Sequence, residues 1–535
     1  MSKKKRKRPP AQNFIVIGEA AQSAEPEPSP LPTKGTPAPL PARPSRSAAK
    51  TWCFRLLAIF GMPLLLFGGI EAALRIAGKG YDPAFLVRDE LEPTKLRDNH
   101  SFGWRFFPKA LSRTSQPIRI TEKKPADVTR TLIVGGSAAM GDPEPAYGVA
   151  RVLQLLLEAR FPDHKFEVIN AAVTAINSHV VLPIVRDCGR LDPDAVIIYM
   201  GNNEVHGPFG SGTVFGQQAP PLWSIRAGLA LKNTKTGQVL GDVGSPAGVP
   251  ESWGGLTMFM KQRVSWDDPE LQRVYSHFES NLDDIIAAAE SSGAKVLVST
   301  VAVNLKDSAP FISLPVDTTD EWKNLVEAAN EAEAADDLEK SIRLFDQALN
   351  ITPEHAELHY RRARCLLKAD HKDEARTAFA RARDHDALRF RADTMLNSII
   401  RKVTEANETR LIDTERHFAD ASPDGIPGEN LFWEHVHFNF DGTYLLARLF
   451  ADNVVEALQL QPANGAWPDM DTAMQELGLT LLHRKNIAEK MQQRTAKAPF
   501  SGQFGHLDRQ RRLAQLATSL EQEMFQFPLA NAMAN

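Results

Sequence analysis

Hydrophobic positions along this chain of 535 residues fall into three successive patterns. The first is a single apolar run. From Trp52 to Leu74 the charges sit only near the ends, at Arg55, Glu71 and Arg75, and Leu56 to Ile70 carries none. About 20 apolar residues span the hydrocarbon of a bilayer at 1.5 Å per residue, so residues 51–75 are predicted to form one transmembrane helix. A buried soluble helix is one rival. A cleaved signal sequence is another, disfavoured by the fifty residues ahead of the run and by the lack of a small-x-small cleavage site after it. The second pattern is a series of short, continuous, β-branched runs: Thr131 to Val134, Phe166 to Ile169, Ala195 to Met200 and Lys295 to Val301. Continuous rather than alternating runs are the mark of strands buried on both faces. Helical stretches separate them, Val149 to Phe161, Leu182 to Leu191 and Leu271 to Ser292, and a fifth strand, Arg410 to Ile412, comes much later. Such βαβ alternation predicts a parallel sheet with helices on both faces.

The third pattern explains the late fifth strand. Ala329, Ser341, Phe345, Ala348 and Pro353 are followed, 34 residues after the middle three, by Ala375, Phe379 and Ala382, with Ala363 keeping the same period from Ala329. This period and these residue types resemble the tetratricopeptide repeat (TPR), in which small residues let paired helices approach closely. Two repeats are read from Glu321 to Asp386. Because fewer than three repeats bury too little surface to stand alone, Leu388 to Thr404 is predicted to cap them, with the sheet domain in support. Residues 205–270, rich in Gly and Pro and without a period, are read as a long loop or lid.

Composition changes the picture at the amino end. Residues 1–50 hold ten prolines and ten Lys/Arg against Glu19, Glu25 and Glu27, a charge of +7; the whole chain carries -4, so the rest carries -11. The first segment is therefore predicted to be a disordered, basic tail, and the acidic remainder argues against nucleic-acid binding. The run Lys3 to Arg8 reads as a topology signal ahead of the apolar segment: a cytoplasmic amino terminus and an exported main domain, periplasmic if the cell has two membranes. The alternative is a nuclear-localisation or nucleic-acid-binding cluster. Cys53, Cys188 and Cys365 are too few and too scattered for a disulfide framework or a Cys-based zinc site.

Ligands of an open parallel sheet bind beyond the carboxyl ends of its strands, so the residues just past each strand are the candidates for chemistry. After the first strand comes Gly135-Gly136-Ser137-Ala138, a glycine-flanked serine of the kind that can expose a nucleophilic hydroxyl. After the second comes Asn170 to Ser178, including Thr174 and Ala175, and after the third Gly201-Asn202-Asn203-Glu204. Near the end lies Phe432-Trp433-Glu434-His435-Val436-His437. Together, and in this order, these blocks resemble those of the SGNH (GDSL-type) hydrolases over roughly 130–216, 271–305 and 408–456. The resemblance implies a flavodoxin-like three-layer α/β/α sheet and an acyl-serine mechanism. Ser137 takes the nucleophile's place, Glu434 and His437 those of its relay partners, and the oxyanion hole falls to the Ser137 N–H, the Ala175 N–H and the Asn203 amide. Three departures stand out. Gly136 replaces the family's aspartate, Glu434 replaces the commoner aspartate, and Ala175 replaces a glycine, harmlessly only if φ there is negative.

Other readings of the same residues stay open. Glu434, His435 and His437, with His206, could ligate a metal; Asn203 and Glu204 could cap a helix; Asn304 and Asp307 could touch substrate beside Gly136, or merely form an Asx turn. The expected architecture is thus a tail (1–50), a membrane helix (51–75), a hydrolase domain in two parts (80–320 and 407–460), a TPR-like insertion (321–406) and a helical extension (461–535). The expected activity is hydrolysis of an ester, by analogy an O-acetyl group on an envelope carbohydrate, with no cofactor and no metal. The helical repeats offer a surface for a protein partner. An O-acyltransferase with the same triad and a non-catalytic scaffold are the competing functions.

Overall fold

The computed structural model describes residues 48–243, 250–314, 319–461 and 465–526; the tail read at 1–50 lies, but for its last three residues, outside these. The chain divides into two units, residues 1–66 and 67–535. Trp52–Ile76, 25 residues of mean hydropathy 2.0, is long and apolar enough to cross a membrane.

In the larger unit, three short strands, β1 (Leu86–Arg88), β2 (Lys95–Asp98) and β3 (Arg119–Thr121), form an antiparallel sheet that the sequence pattern did not reveal. Each has only three or four residues, too few for periodicity to register. The central sheet is β4 (Val128–Gly135), β5 (Lys165–Asn170), β6 (Ala195–Tyr199), β7 (Lys295–Ser299) and β8 (Arg410–Ile412). All pairings are parallel and the order is β5-β4-β6-β7-β8. The apolar runs become strands because every residue of β6, and every residue from Thr129 to Gly135 in β4, is buried between helix layers. This is a three-layer α/β/α sheet of flavodoxin-like order. The chain leaves β4 toward one edge for β5 and returns past it to β6, so a crevice opens at the carboxyl ends of β4 and β6.

The insertion consists of two antiparallel helix pairs, Asp320–Ala334 with Leu338–Ile351 and Ala356–Lys368 with Lys372–Asp384. Ala329, Ala348, Ala363 and Ala375 are fully buried where the helices meet, and Phe345 and Phe379 fill equivalent positions 34 residues apart. The second pair packs against Ala309 and Ile426, and the Tyr360 hydroxyl donates to the Lys306 carbonyl at 2.7 Å. Two expectations change. Helix Thr394–Ala406 does not cap the repeats: Leu396, Ile399, Ile400 and Val403 join the core of the central sheet, making it the crossover helix between β7 and β8. Its strong apolar face satisfies either role, and only packing decides between them. Residues 205–270 are not all loop, for they hold helices Leu222–Lys232 and Lys235–Val243.

Candidate active site

Gly135 ends β4 at φ 158°, and a Cβ there would stand 2.0 Å from the Tyr199 carbonyl, so only glycine lets the turn leave the sheet this close to β6. Two residues later Ser137 opens the short helix Ser137–Met140. Its Oγ lies 2.8 Å from His437 Nε2. His437 reaches it from a tight loop closed by the Phe432–Phe438 bridge and by Trp433 N–H donating to the His437 carbonyl at 2.8 Å. That closure puts Glu434 and His437 on one side. Asn439 then caps the helix Phe440–Ala457, accepting from the Gly442 N–H at 3.0 Å, and ties the loop back through Glu429 and Asn430.

Glu434 is fully buried and its carboxylate is fully used. It accepts the backbone N–H groups of His435 and His437, each at 2.9 Å, and both imidazole Nδ1 atoms, one on each oxygen. A His437 that donates Nδ1–H to Glu434 presents its Nε2 lone pair to Ser137, the tautomer a general base requires. The same bonds bear on the metal alternative, since the two Nδ1 atoms are committed to the carboxylate. His206 is buried elsewhere, its Nδ1 facing the Gly212 carbonyl at 2.9 Å and its ring 4.5 Å from that of Phe390.

Ala175 and Asn203 line the same cleft as Ser137, a cavity of about 550 Å³. Gly136 lies beneath Asn203, where a Cβ would stand 2.9 Å from Nδ2. Ala175 has φ 58°, the left-handed region, so an alanine occupies a backbone conformation suited to glycine. Beneath these loops Glu204 is buried and accepts from Ser178 N–H at 2.9 Å and Ser178 Oγ at 2.8 Å, while Asn281 donates to Ser178 Oγ at 3.0 Å. Ser178 begins helix Ser178–Cys188, so Glu204 ties the segment carrying Asn203 to the one carrying Ala175. Burial pushes the Glu204 carboxyl up to about 7 against the Ser178 hydrogen bonds.

Asn304 and Asp307 are placed elsewhere. Asn304 is fully buried, its Oδ1 accepts the N–H of Asp307, three residues on, at 2.9 Å, and its own N–H donates to the His435 carbonyl at 3.0 Å. Asp307 accepts the Glu429 N–H at 2.8 Å. Neither lines the cleft; both brace the loop that carries Glu434 and His437.

Sequence reasoning missed a second charged pair. Asp142 Oδ2 lies 3.2 Å from His437 Nε2, on the same side as Ser137. Arg494 holds Asp142 with both ends of its guanidinium, at 2.7 and 2.9 Å. Asp142 stands five residues after the serine and could have been noticed there. Arg494 could not, because it lies in helix Leu481–Thr495 of the extension, more than 350 residues away and without a motif. Burial alone would raise Asp142, but His437, Arg494 and Lys490 outweigh it and hold the carboxyl at about 2. Burial holds His437 below the usual histidine range, at about 4, with Asp142 pulling upward and Arg494 downward.

Residues 332–399 match the tetratricopeptide-repeat family. The helical insertion is a tetratricopeptide-repeat segment. No curated protein matches the chain. Solved structures similar to it include a lipase/acylhydrolase from Enterococcus faecalis (12% identity, 63% of this chain and 100% of that one, TM-score 0.30). A GDSL-like lipase from Bacteroides thetaiotaomicron (11%, 62% and 89%, TM-score 0.28) and an acetylxylan esterase from Geobacillus stearothermophilus (12%, 63% and 97%, TM-score 0.28) are others. At such identities and scores the site must be judged on its own geometry.

Proposed function

We propose that the protein is a membrane-anchored serine ester hydrolase of the SGNH type, acting through an acyl-serine intermediate. The observation that carries this reading is the continuous relay from Ser137 Oγ to His437 Nε2 at 2.8 Å and from His437 Nδ1 to the buried Glu434. It opens on the cleft that Ala175 and Asn203 also line. Ser137 attacks the ester carbonyl as its proton passes to His437; Glu434 stabilises the imidazolium; the developing oxyanion meets the N–H groups of Ser137 and Ala175 and the Asn203 amide. His437 then protonates the leaving alcohol, and water repeats the sequence on the acyl-serine. O-acylated carbohydrate is the proposed substrate class, and Trp52–Ile76 the anchor, with the amino terminus cytoplasmic and the main unit exported.

The test is labelling of the full-length protein, in detergent, with a fluorophosphonate, alongside Ser137→Ala and an aryl acetate assay. Wild type should label and turn over, and the variant should do neither. Equal labelling of both would remove Ser137 from the role.

A further inference from the structure

Among the described residues, Arg113 is the one cation of the cleft with a fixed guanidinium and no anionic partner. It sits on the segment before β3, which the Ser115–Val173 bridge fastens to the loop carrying Thr174 and Ala175. Its Nε donates to Thr174 Oγ1 at 2.8 Å, and its guanidinium carbon lies 4.4 Å from the centre of the Trp253 ring. Those two contacts fix the plane of the group one residue from Ala175. They use Nε and one face, while Nη1 and Nη2 make no hydrogen bond to any protein group among the described residues. Arg113 lines the cleft together with Ser137.

The surrounding acids are already committed. Asp142, the acid that acts on Arg113 electrostatically, is held by both ends of Arg494 and faces His437, and Glu434 is saturated by two histidines. Lys497, which also lines the cleft, adds an exposed second cation with no ion pair among the described residues. Burying a guanidinium without a counter-charge is costly, and here desolvation holds the Arg113 pKa below its ordinary value. A fold that needed only a wedge against Trp253 could use an apolar side chain at that position. A guanidinium whose Nε is engaged still presents its Nη1–Nη2 edge, a planar fork that matches a carboxylate in two parallel hydrogen bonds.

We infer that the natural ester is carried by an acidic carbohydrate, with a carboxylate close to the acyl group bound by Arg113 in the cleft of Ser137. This deepens the proposed serine esterase reading and rests on it. Bidentate guanidinium recognition also orients the sugar, because it fixes the carboxylate plane relative to the oxyanion loop.

Two measurements keep that reading and this one separable. The first compares kcat/KM of the full-length protein on an O-acetylated oligogalacturonide and on an O-acetylated xylo-oligosaccharide of equal length. Wild type should prefer the acidic ester, and Arg113→Gln should lower the acidic-to-neutral ratio by about tenfold or more, the loss lying in KM, with Arg113→Lys recovering part of it. A ratio that Arg113→Gln leaves unmoved, even if both rates fall, makes Arg113 a buttress of Thr174 and overturns the inference. The second measures binding of unacetylated oligogalacturonate to Ser137→Ala protein by calorimetry, where no turnover is involved. Binding that Arg113→Gln abolishes supports the carboxylate site even if hydrolysis fails and the esterase reading falls. No binding, or binding indifferent to Arg113 or matched by neutral xylo-oligosaccharide, sinks the inference while leaving the esterase reading intact.

Discussion

Replacing Asp142 by Asn, or Arg494 by Gln, should move the acid limb of the pH–rate profile in opposite directions. Asp142 Oδ2 lies 3.2 Å from His437 Nε2. At that distance a full charge pair is worth about 5 kcal/mol for an effective dielectric of roughly 20. Arg494, bonded to both carboxylate oxygens, cancels much of this field. Opposite charges a few ångströms away ordinarily move a titrating group by ~1–3 units, so the net effect of Asp142 belongs at the lower end, about one unit or 1.4 kcal/mol. Its sign is set by the charge: Asp142 stabilises the imidazolium and raises the His437 pKa, while Arg494 lowers it. In the proposed mechanism His437 acts as base when neutral, so activity is lost as pH falls through its pKa, which burial sets at about 4 rather than the ordinary 6.5. Asp142→Asn should shift that limb down by about one unit, and should cost about tenfold in kcat near pH 7 because the imidazolium forming in the transition state loses its partner. Arg494→Gln should shift the limb upward. Glu434, on the other side of the ring, and His435 are common to both variants, and Lys490 acts through Asp142, so the difference isolates the pair. The assay is aryl acetate hydrolysis by full-length protein between pH 3 and 8, with circular dichroism to confirm folding. A limb that fails to move in Asp142→Asn, or that moves the same way in both variants, would refute the electrostatic account.

The same geometry sets other outcomes. Asn203→Ala should lower kcat by about 10²–10³ with little change in KM, since in the proposed mechanism its amide meets charge that exists only in the transition state; an unchanged kcat would remove it from the oxyanion hole. Ala175→Gly should relieve the left-handed strain at φ 58°, worth about 1 kcal/mol net of the extra freedom glycine has in the unfolded chain, and denaturant melts reporting a loss of stability would contradict this. Phe379→Ala in the second repeat, at a fully buried position, should cost about 3–5 kcal/mol, visible as a lowered helical melting transition.

The five strands of the central sheet, the order of the four loop blocks and the 34-residue repeat were legible in the residues themselves because each is written in local periodicity. A buried strand must be continuously apolar, a repeat must recur, and a tight turn leaving a strand needs its glycine. The meeting of Glu434 and His437 was legible too, since they stand three residues apart in one loop; their part in a relay belongs to the proposed function. Three things depended on tertiary structure. The helix Thr394–Ala406 has one apolar face whether it caps a repeat or crosses the sheet, so packing alone could assign it. Asn304 and Asp307 are polar residues at a strand end, and only the Asn304–Asp307 hydrogen bond and the burial of Asn304 behind the His435 loop separate support from substrate contact. Arg494 meets Asp142 across more than 350 residues of chain, and Arg113 meets Trp253 across 140. Through-space electrostatics depends on distance in three dimensions, and no local pattern in the chain encodes that distance.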